Sequence, residues 1–317
     1  MTPELEFIIN PENPKYYDKF YVEAYKENGW IKGSNDFAVQ QKSFGKDCFF
    51  VIAIDKKTKS HLGNVTGTFY RDNSGKRILF TIGSYFVFSE YRNKGIGLHL
   101  FNRLLEIPKQ EGVNVYLNCQ PHMKQKYCDI GLSIIRKDCL CTFEPTFKDF
   151  EVDQVFENKE ITLIDAKEFK KWEKVKEFDQ TIIGDINRLP YLQTRMTEPT
   201  SRGLIAIDKN DKVVGLINCY EAIECNLCFG PLYALSDKIA ESLFTTLIKK
   251  LKNTDLEIEN IEFATFKSNE FMTNLILKYT NNKVRYDYEM TSHFSRVEHE
   301  VKREYVYCFP DVGQSFA

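Results

Sequence analysis

The chain is predicted to fold as two tandem α/β domains, each a central mixed sheet flanked by helices, on three observations. Its 317 residues exceed what a single hydrophobic core ordinarily organises. The same succession of strands and helices reads twice along the chain. In the first pass, an aromatic strand runs through a basic, glycine-punctuated turn straight into an apolar helix. Hydrophobic residues at 43% and charged residues at 28% belong to a soluble globular protein. The formal net charge of −2 argues against nucleic acid as the main partner. No apolar run reaches membrane-spanning length, and Met1 to Pro14 lacks the apolar stretch of a signal peptide. Nine cysteines without such a signal read as reduced thiols, so a cytoplasmic location is expected, with the nucleus not excluded.

In the first half, Leu5 to Ile9 reads as a strand closed by Asn10-Pro11. A helical pattern through Tyr17, Phe20, Tyr21 and Ala24 runs from Pro14 to Asn28-Gly29. Trp30 to Lys46 is polar and broken by Gly33, Ser34, Asn35 and Gly45, the mark of a long loop or a loop with a short helix. Phe49 to Ile54 and Leu62 to Tyr70 are strands, and Arg71 to Lys76 is a tight hairpin connection to the strand Leu79 to Phe88. The helix that follows carries Ile96, Leu100, Phe101, Leu104 and Leu105 on one face, and Pro108 is expected to stop it. Val113 to Cys119 is a strand, Met123 to Ile130 is helical, and Ser133 to Phe143 is expected to return as antiparallel strands.

The turn between strand and helix has the chemistry of a diphosphate cradle. Gly95 and Gly97 carry no Cβ, so their amides can approach a ligand and adopt φ values other residues avoid. Amides at a helix start have no partner within the helix, and the dipole places about +0.5 charge there. Arg92 and Lys94 add full positive charges at the same place. The spacing is neither that of a P-loop nor, lacking a third glycine, that of a dinucleotide fingerprint.

Arg92-x-x-Gly95-x-Gly97 after a strand resembles the acetyl-CoA signature of the GCN5-related N-acetyltransferases, the GNAT superfamily, and the element order of about the first 150 residues is the order of that family. The resemblance implies a mixed, mostly antiparallel sheet. It implies a pyrophosphate held by Arg92, Asn93, Lys94, Gly95, Ile96, Gly97 and Leu98, with the strand residues Tyr85, Phe86 and Val87 beside the pantetheine arm. Tyr127, four residues before Gly131, matches the tyrosine of the family's Tyr-x-x-x-Gly-Phe, which protonates the departing thiolate; here Leu132 replaces the phenylalanine. Gln120 stands where many relatives carry asparagine after the fifth strand.

An amine of pKa near 10.4 needs about 4.6 kcal/mol to lose its proton at pH 7, so a general base is expected near the reacting centre. Relatives often place a carboxylate on the fourth or fifth strand, and this chain has none between Leu79 and Phe88 or between Val113 and Cys119. No base is assigned from the sequence; His122, Asp36 and Glu90 are unspecific candidates acting through water. Acceptor contacts in the family come largely from the loop after the first helix. Trp30 and Phe37 there are read either as walls of an acceptor pocket or as cover for the core edge, with Asp36 a candidate for an ammonium.

Phe150 to Lys159 is charged and aperiodic, so the boundaries are drawn as domain 1–150, linker 151–159 and domain 160–317. The second half reads as a strand at Ile161 to Ile164, then an amphipathic helix over Ala166 to Phe178. Two strands joined at Asp208 to Asp211 follow, and a strand from Leu227 to Ala234 leads to the N-cap Ser236. A helix through Leu251, a strand to Phe266, a helix to Tyr279 and strand from Val284 complete it. Its segments Phe178-Asp179-Gln180, Gly184 to Arg188 and Gly230-Pro231-Leu232-Tyr233-Ala234 resemble the YitH/HolE-type acetyltransferase domain of tandem family members. Asp237 at the helix start opposes a phosphate, so a second coenzyme cradle is not expected. Asp179, Arg188 and Tyr233 are candidates for a wall of the acceptor pocket or for structural caps.

Cys225-x-x-Cys228 and Cys139-x-Cys141 fall in strand-like runs whose positions three apart face opposite ways, and no metal site is expected. His293 and His299 lie in a charged tail segment and are read as solvated. The resemblance implies an acetyl-CoA-dependent N-acetyltransferase acting on a small amine, an amino acid or a protein amine. The alternative class is a non-catalytic coenzyme A-binding or scaffold protein, motivated by the missing carboxylate and by Gln120.

Overall fold

The computed structural model describes residues 3–311 and 315–316. The first half comprises β1 (Leu5–Ile9), α1 (Lys15–Asn28), α2 (Asp36–Phe44), β2 (Cys48–Asp55), β3 (His61–Arg71), β4 (Arg77–Val87), α3 (Ile96–Glu111), β5 (Asn114–Cys119), α4 (Lys124–Asp129), β6 (Ile134–Ile135) and β7 (Leu140–Glu144). The second comprises β8 (Ile161–Asp165), α5 (Trp172–Ile183), α6 (Leu189–Thr197), β9 (Ser201–Asp208), β10 (Val213–Glu221), β11 (Leu227–Ala234), α7 (Asp237–Lys252), β12 (Ile261–Phe266), α8 (Glu270–Tyr279), β13 (Arg285–Phe294) and β14 (Val306–Cys308). Among the described residues no helix is long and apolar enough to cross a membrane.

Each half builds a mixed sheet flanked by helices, and the two sheets join edge to edge. Strand order runs β1-β2-β3-β4-β5-β13-β7-β12-β11-β10-β9-β8. The halves exchange strands at the join. β13 pairs with β5 through Thr291 to Phe294 and with β7 through Arg285 to Met290. β7, from the first half of the chain, pairs antiparallel with β12 of the second. One apolar cluster accordingly mixes Tyr70, Leu79 and Tyr116 with Phe178, Ile205 and Phe316. Burial of this shared surface, at roughly 25 cal/mol per Å², ties the halves together.

Local expectations differ from the structure at a few points. α3 continues through Pro108 to Glu111. A proline removes one helical hydrogen bond, while Leu100, Leu104 and Pro108 remain buried along the face that packs on the sheet. The helix expected from Ala166 begins at Trp172, and α6 carries no expectation from the sequence. His293 is fully buried on β13, with Nδ1 2.8 Å from the Leu132 carbonyl oxygen. His299 is half-buried with Nε2 3.0 Å from the Ile183 carbonyl oxygen. His293 is thus withdrawn from solvent and His299 partly so, because the segment that looks like a tail is a strand between the two sheets and its continuation.

His61 links this packing to pH. It is buried against Tyr16 and Phe88, and burial, then the Lys19 ammonium, lowers its pKa from 6.5 to about 4. The folded state therefore resists a proton that the unfolded chain binds below pH 6.5. The stability tied to neutral His61 is complete above that pH and is lost as the pH falls towards about 4. Urea unfolding at pH 7 and pH 4.5 should show a loss that is smaller by about 2–3 kcal/mol in His61→Phe. Equal losses in the two proteins would remove His61 from this role.

Candidate functional site

The site begins where β4 leaves its neighbour. β4 and β5 run parallel only from Leu79 opposite Asn114 to Ile82 opposite Leu117. Immediately beyond, β4 bulges: Thr66 of β3 pairs with Gly83 and Asn64 with Phe86, so Val65 faces both Ser84 and Tyr85. Ser84 takes φ +48°, and Asn64 Nδ2 donates to its carbonyl at 2.7 Å. A bulge bends and twists its strand, while β5 is held on its other side by β13. The two strands splay, and the gap opens as a cleft of about 540 Å³.

The cradle forms one end of this cleft. Asn93 and Gly95 have φ +61° and +77°, left-handed values that turn the chain from Tyr91 into α3. Gly95 caps α3 without a side-chain acceptor. Among the described residues, the amides of Asn93 to Leu98 make no hydrogen bond, leaving a row of donors backed by a helix of 16 residues. A Cβ on Gly97 would stand 2.3 Å from the Tyr85 hydroxyl and 3.3 Å from Val87 Cγ2, so a side chain there would displace the Tyr85 ring from the first turn. Arg92 does not stand free. Its Nε donates to the Val87 carbonyl at 2.8 Å and its guanidinium pairs with Glu27, which offsets part of its charge. Lys94 Nζ donates to the Glu90 carbonyl at 2.7 Å. The persistent anion-holding features are thus the amides and the dipole; Arg92 lines the cleft beside them, and so does Lys126.

Tyr85, Phe86, Val87, Arg92, Asn93, Gly95, Ile96, Gly97, Leu98, Gln120, Tyr127 and Trp30 all line the cleft. Lys94 stands just outside it. Tyr127, on α4, packs against Phe101 and His293 with ring centroids 5.5 and 6.4 Å away. Its hydroxyl makes no hydrogen bond among the described residues, and burial pushes its pKa well above the ordinary phenol range, with Tyr85 and Cys119 adding to the shift. The phenol keeps its proton at every physiological pH. Gln120 precedes the turn at Pro121 to Met123, in extended backbone.

Other candidates lie elsewhere. Asp36 is buried below the cleft, bonded to the Gly33 amide at 2.9 Å and to Arg195 at 2.6 Å, and Phe37 packs among Tyr17 and Phe50. Asp179, Arg188 and Tyr233 do not line the cleft at all. They are buried together inside the second half, with Arg188 2.6 Å from Asp179 and 3.1 Å from the Tyr233 hydroxyl. Removing one partner of such a buried pair costs about 3–5 kcal/mol because it strands the other charge. Their identity answers to folding. Cys225 sits in the exposed turn before β11 rather than in a strand, and Cys228 Sγ faces the Ile31 carbonyl.

Strand exchange brings in residues that no spacing in the sequence announces. Glu262 of β12, with Tyr288 and Met290 of β13, lines the cleft together with Trp30, Ile31 and Lys32. Glu262 is the one carboxylate among the lining residues described. The only local hint is the alternation along Ile261 to Phe266, which gives Glu262 the opposite face from Ile261 and Phe263. It does not say what that face meets.

The second half has the same splay, filled by the chain itself. β11 and β12 pair in parallel from Leu227 opposite Ile261 to Phe229 opposite Phe263. Beyond that point β14 lies antiparallel against β11, with Leu232 opposite Cys308, and the Phe309 amide donates to the Ala264 carbonyl of β12 at 2.8 Å. A Cβ on Gly230 would meet the Phe309 carbonyl oxygen at 1.8 Å, so the fit is close. At the start of α7, Asp237 accepts from the Tyr307 hydroxyl at 2.7 Å. Peptide groups of β14 take the place that a ligand takes in an open splay.

Comparison with known proteins agrees with this architecture. Residues 10–126 match the Acetyltransferase (GNAT) family, and residues 175–304 match a further Acetyltransferase (GNAT) domain. The chain belongs to the GNAT superfamily. Within it, this is a tandem protein, with two such domains in one chain. A structure of an acetyltransferase candidate from Pyrococcus horikoshii has a TM-score of 0.70 at 18% identity, covering 98% of this chain and 96% of that one. A tandem GNAT protein of the clavulanic acid biosynthesis pathway has a TM-score of 0.66 at 10% identity, covering 92% and 98%. The N-myristoyltransferase of Saccharomyces cerevisiae has a TM-score of 0.61 at 11% identity, covering 92% and 80%. At these identities the likeness is one of fold. No curated sequence matches the chain.

Proposed function

We propose that the chain is an acetyl-CoA-dependent N-acetyltransferase with one coenzyme site, in the first half. The observation that carries this reading is the row of amides at Asn93 to Leu98, without a partner among the described residues, opening directly onto the β4–β5 splay. A diphosphate supplies acceptors for those donors and charge for the dipole. The splay leaves the edge of β4 at Tyr85 to Val87 available to an extended, amide-bearing arm. Bound there, acetyl-CoA supplies an acetyl thioester open to direct attack by an unprotonated amine.

The remaining work falls to side chains of both halves. Glu262 takes the proton of the acceptor amine, the role for which the first half has no carboxylate. This role answers the missing carboxylate that motivates the non-catalytic reading. Tyr127 holds a proton at Oη on the wall of the cleft. A thiol pKa near 8.5 lies below that of the buried phenol, so the tyrosine stabilises the departing sulfur by donating a hydrogen bond. The plugged splay of the second half fits a supporting domain, in keeping with the likeness of its motifs to YitH/HolE-type domains.

Release of free thiol from acetyl-CoA, followed across a panel of amines, tests the activity: acceleration by at least one class of amine is expected, and none would favour a binding protein. With an active amine, Tyr127→Phe should lower turnover by about 10- to 100-fold and leave coenzyme A affinity within about twofold. A large loss of affinity would contradict its place beside the sulfur.

A further inference from the structure

The end of the cleft remote from the cradle holds a second polar arrangement. Lys32 is buried, lines the cleft and also borders two small hollows beside it. Among the described residues its ammonium makes no hydrogen bond. Its one ion pair, with Asp311, spans 3.6 Å. Glu262 lines both the cleft and one of those hollows, together with Ile31 and Lys32, and no cradle residue lines that hollow. Asp311, Asp36 and Glu262 outweigh the desolvation of Lys32 and keep it charged. A cation with unmet donors and a carboxylate therefore share the acceptor end, one from each half of the chain.

We propose, building on the acetyltransferase reading, that the acceptor is an amine bearing a carbonyl oxygen on the adjoining carbon, the grouping of an amino acid, held between Glu262 and Lys32. A bare alkylammonium answers Glu262 but leaves the Lys32 donors unmet. An adjoining carbonyl or carboxylate oxygen accepts from Lys32 and fixes the amine in one orientation. A buried, charge-assisted hydrogen bond of this kind is what discriminates between otherwise similar ligands. Trp30, Tyr288 and Met290 line the same cleft.

Calorimetry on the full chain already loaded with coenzyme A tests this with matched trios, such as leucine, leucinamide and 3-methylbutylamine, and the corresponding sets for phenylalanine, lysine and glutamate. In at least one trio the acid or the amide should bind at least about tenfold more tightly than the amine. Tighter binding of the acid would identify a free amino acid, and of the amide a chain terminus. Lys32→Met should erase the preference, and Glu262→Gln should weaken all three members of the trio. If Lys32→Met fails to fold, the wild-type trios still decide. Equal binding of amine, acid and amide in every trio, or no binding by any member, overturns the proposal. Failure of coenzyme A itself to bind would instead remove the acetyltransferase reading on which it rests.

Discussion

Gly95→Asp should abolish coenzyme A binding while leaving the protein folded. Gly95 lies at φ +77° at the cap of α3, and no atom approaches a Cβ built there closer than 4.0 Å, so the substitution meets no clash and only the strain of a side chain in the left-handed region. Aspartate visits the left-handed region more often than most side chains, so that strain is modest. The carboxylate, however, would stand among the amides of Asn93 to Leu98. It would satisfy some of those donors itself and repel each phosphate charge by about 3 kcal/mol at 5 Å and an effective dielectric of about 20. The expected loss in affinity is at least about a hundredfold, read by calorimetry, with the melting temperature little changed. Undiminished affinity in a folded variant would remove the amide row as the anion site.

Cutting the chain at its apparent linker should be as severe. Residues 151–160 contain no helix or strand, and 1–150 looks like a domain in the sequence. In the structure, β5 and β6 take their partner β13 from the second half, and β7 pairs with β12 and β13. A fragment of residues 1–150 would expose β5 as an unprotected edge and leave β7 without a neighbour, conditions that favour association over folding. It should show no cooperative thermal transition and no coenzyme A binding. Mixing with a fragment of residues 151–317 should restore both if the strands can be exchanged in trans. A monomeric, cooperatively melting 1–150 fragment that binds the coenzyme like the whole chain would show that the exchanged strands are dispensable.

What could be read in advance follows the range of the interactions involved. The strands of the first half, the hairpin at Arg71 to Lys76 and the turn from Arg92 to Leu98 are set by neighbours in sequence: alternation, glycine positions and an apolar helical face. Glu262 could not be found that way. Its place in the cleft depends on β12 meeting β7 and on β13 bridging two sheets, pairings between residues more than a hundred positions apart. Asp179 and Arg188, which the sequence leaves open between an acceptor wall and structural caps, illustrate a related point. Charged residues beside apolar runs look functional in a sequence, and only the packing reveals that they neutralise each other. Asp36 belongs with them, drawn below the cleft by Arg195 from the other half of the chain. His293 shows the opposite case, since its strand is polar enough in sequence to look like a tail. The filled splay of the second half was foreshadowed only by what its turn lacks; that β14 occupies the gap rests on the last strand of the chain returning to β11.

On the function proposed above, one splay of this chain takes the coenzyme and the other is closed by β14. Titration of the intact protein with coenzyme A in a calorimeter measures both at once. One site per chain is expected, weakened by added salt as a charge-held diphosphate requires. Absence of heat, or two equivalent sites per chain, would contradict the account.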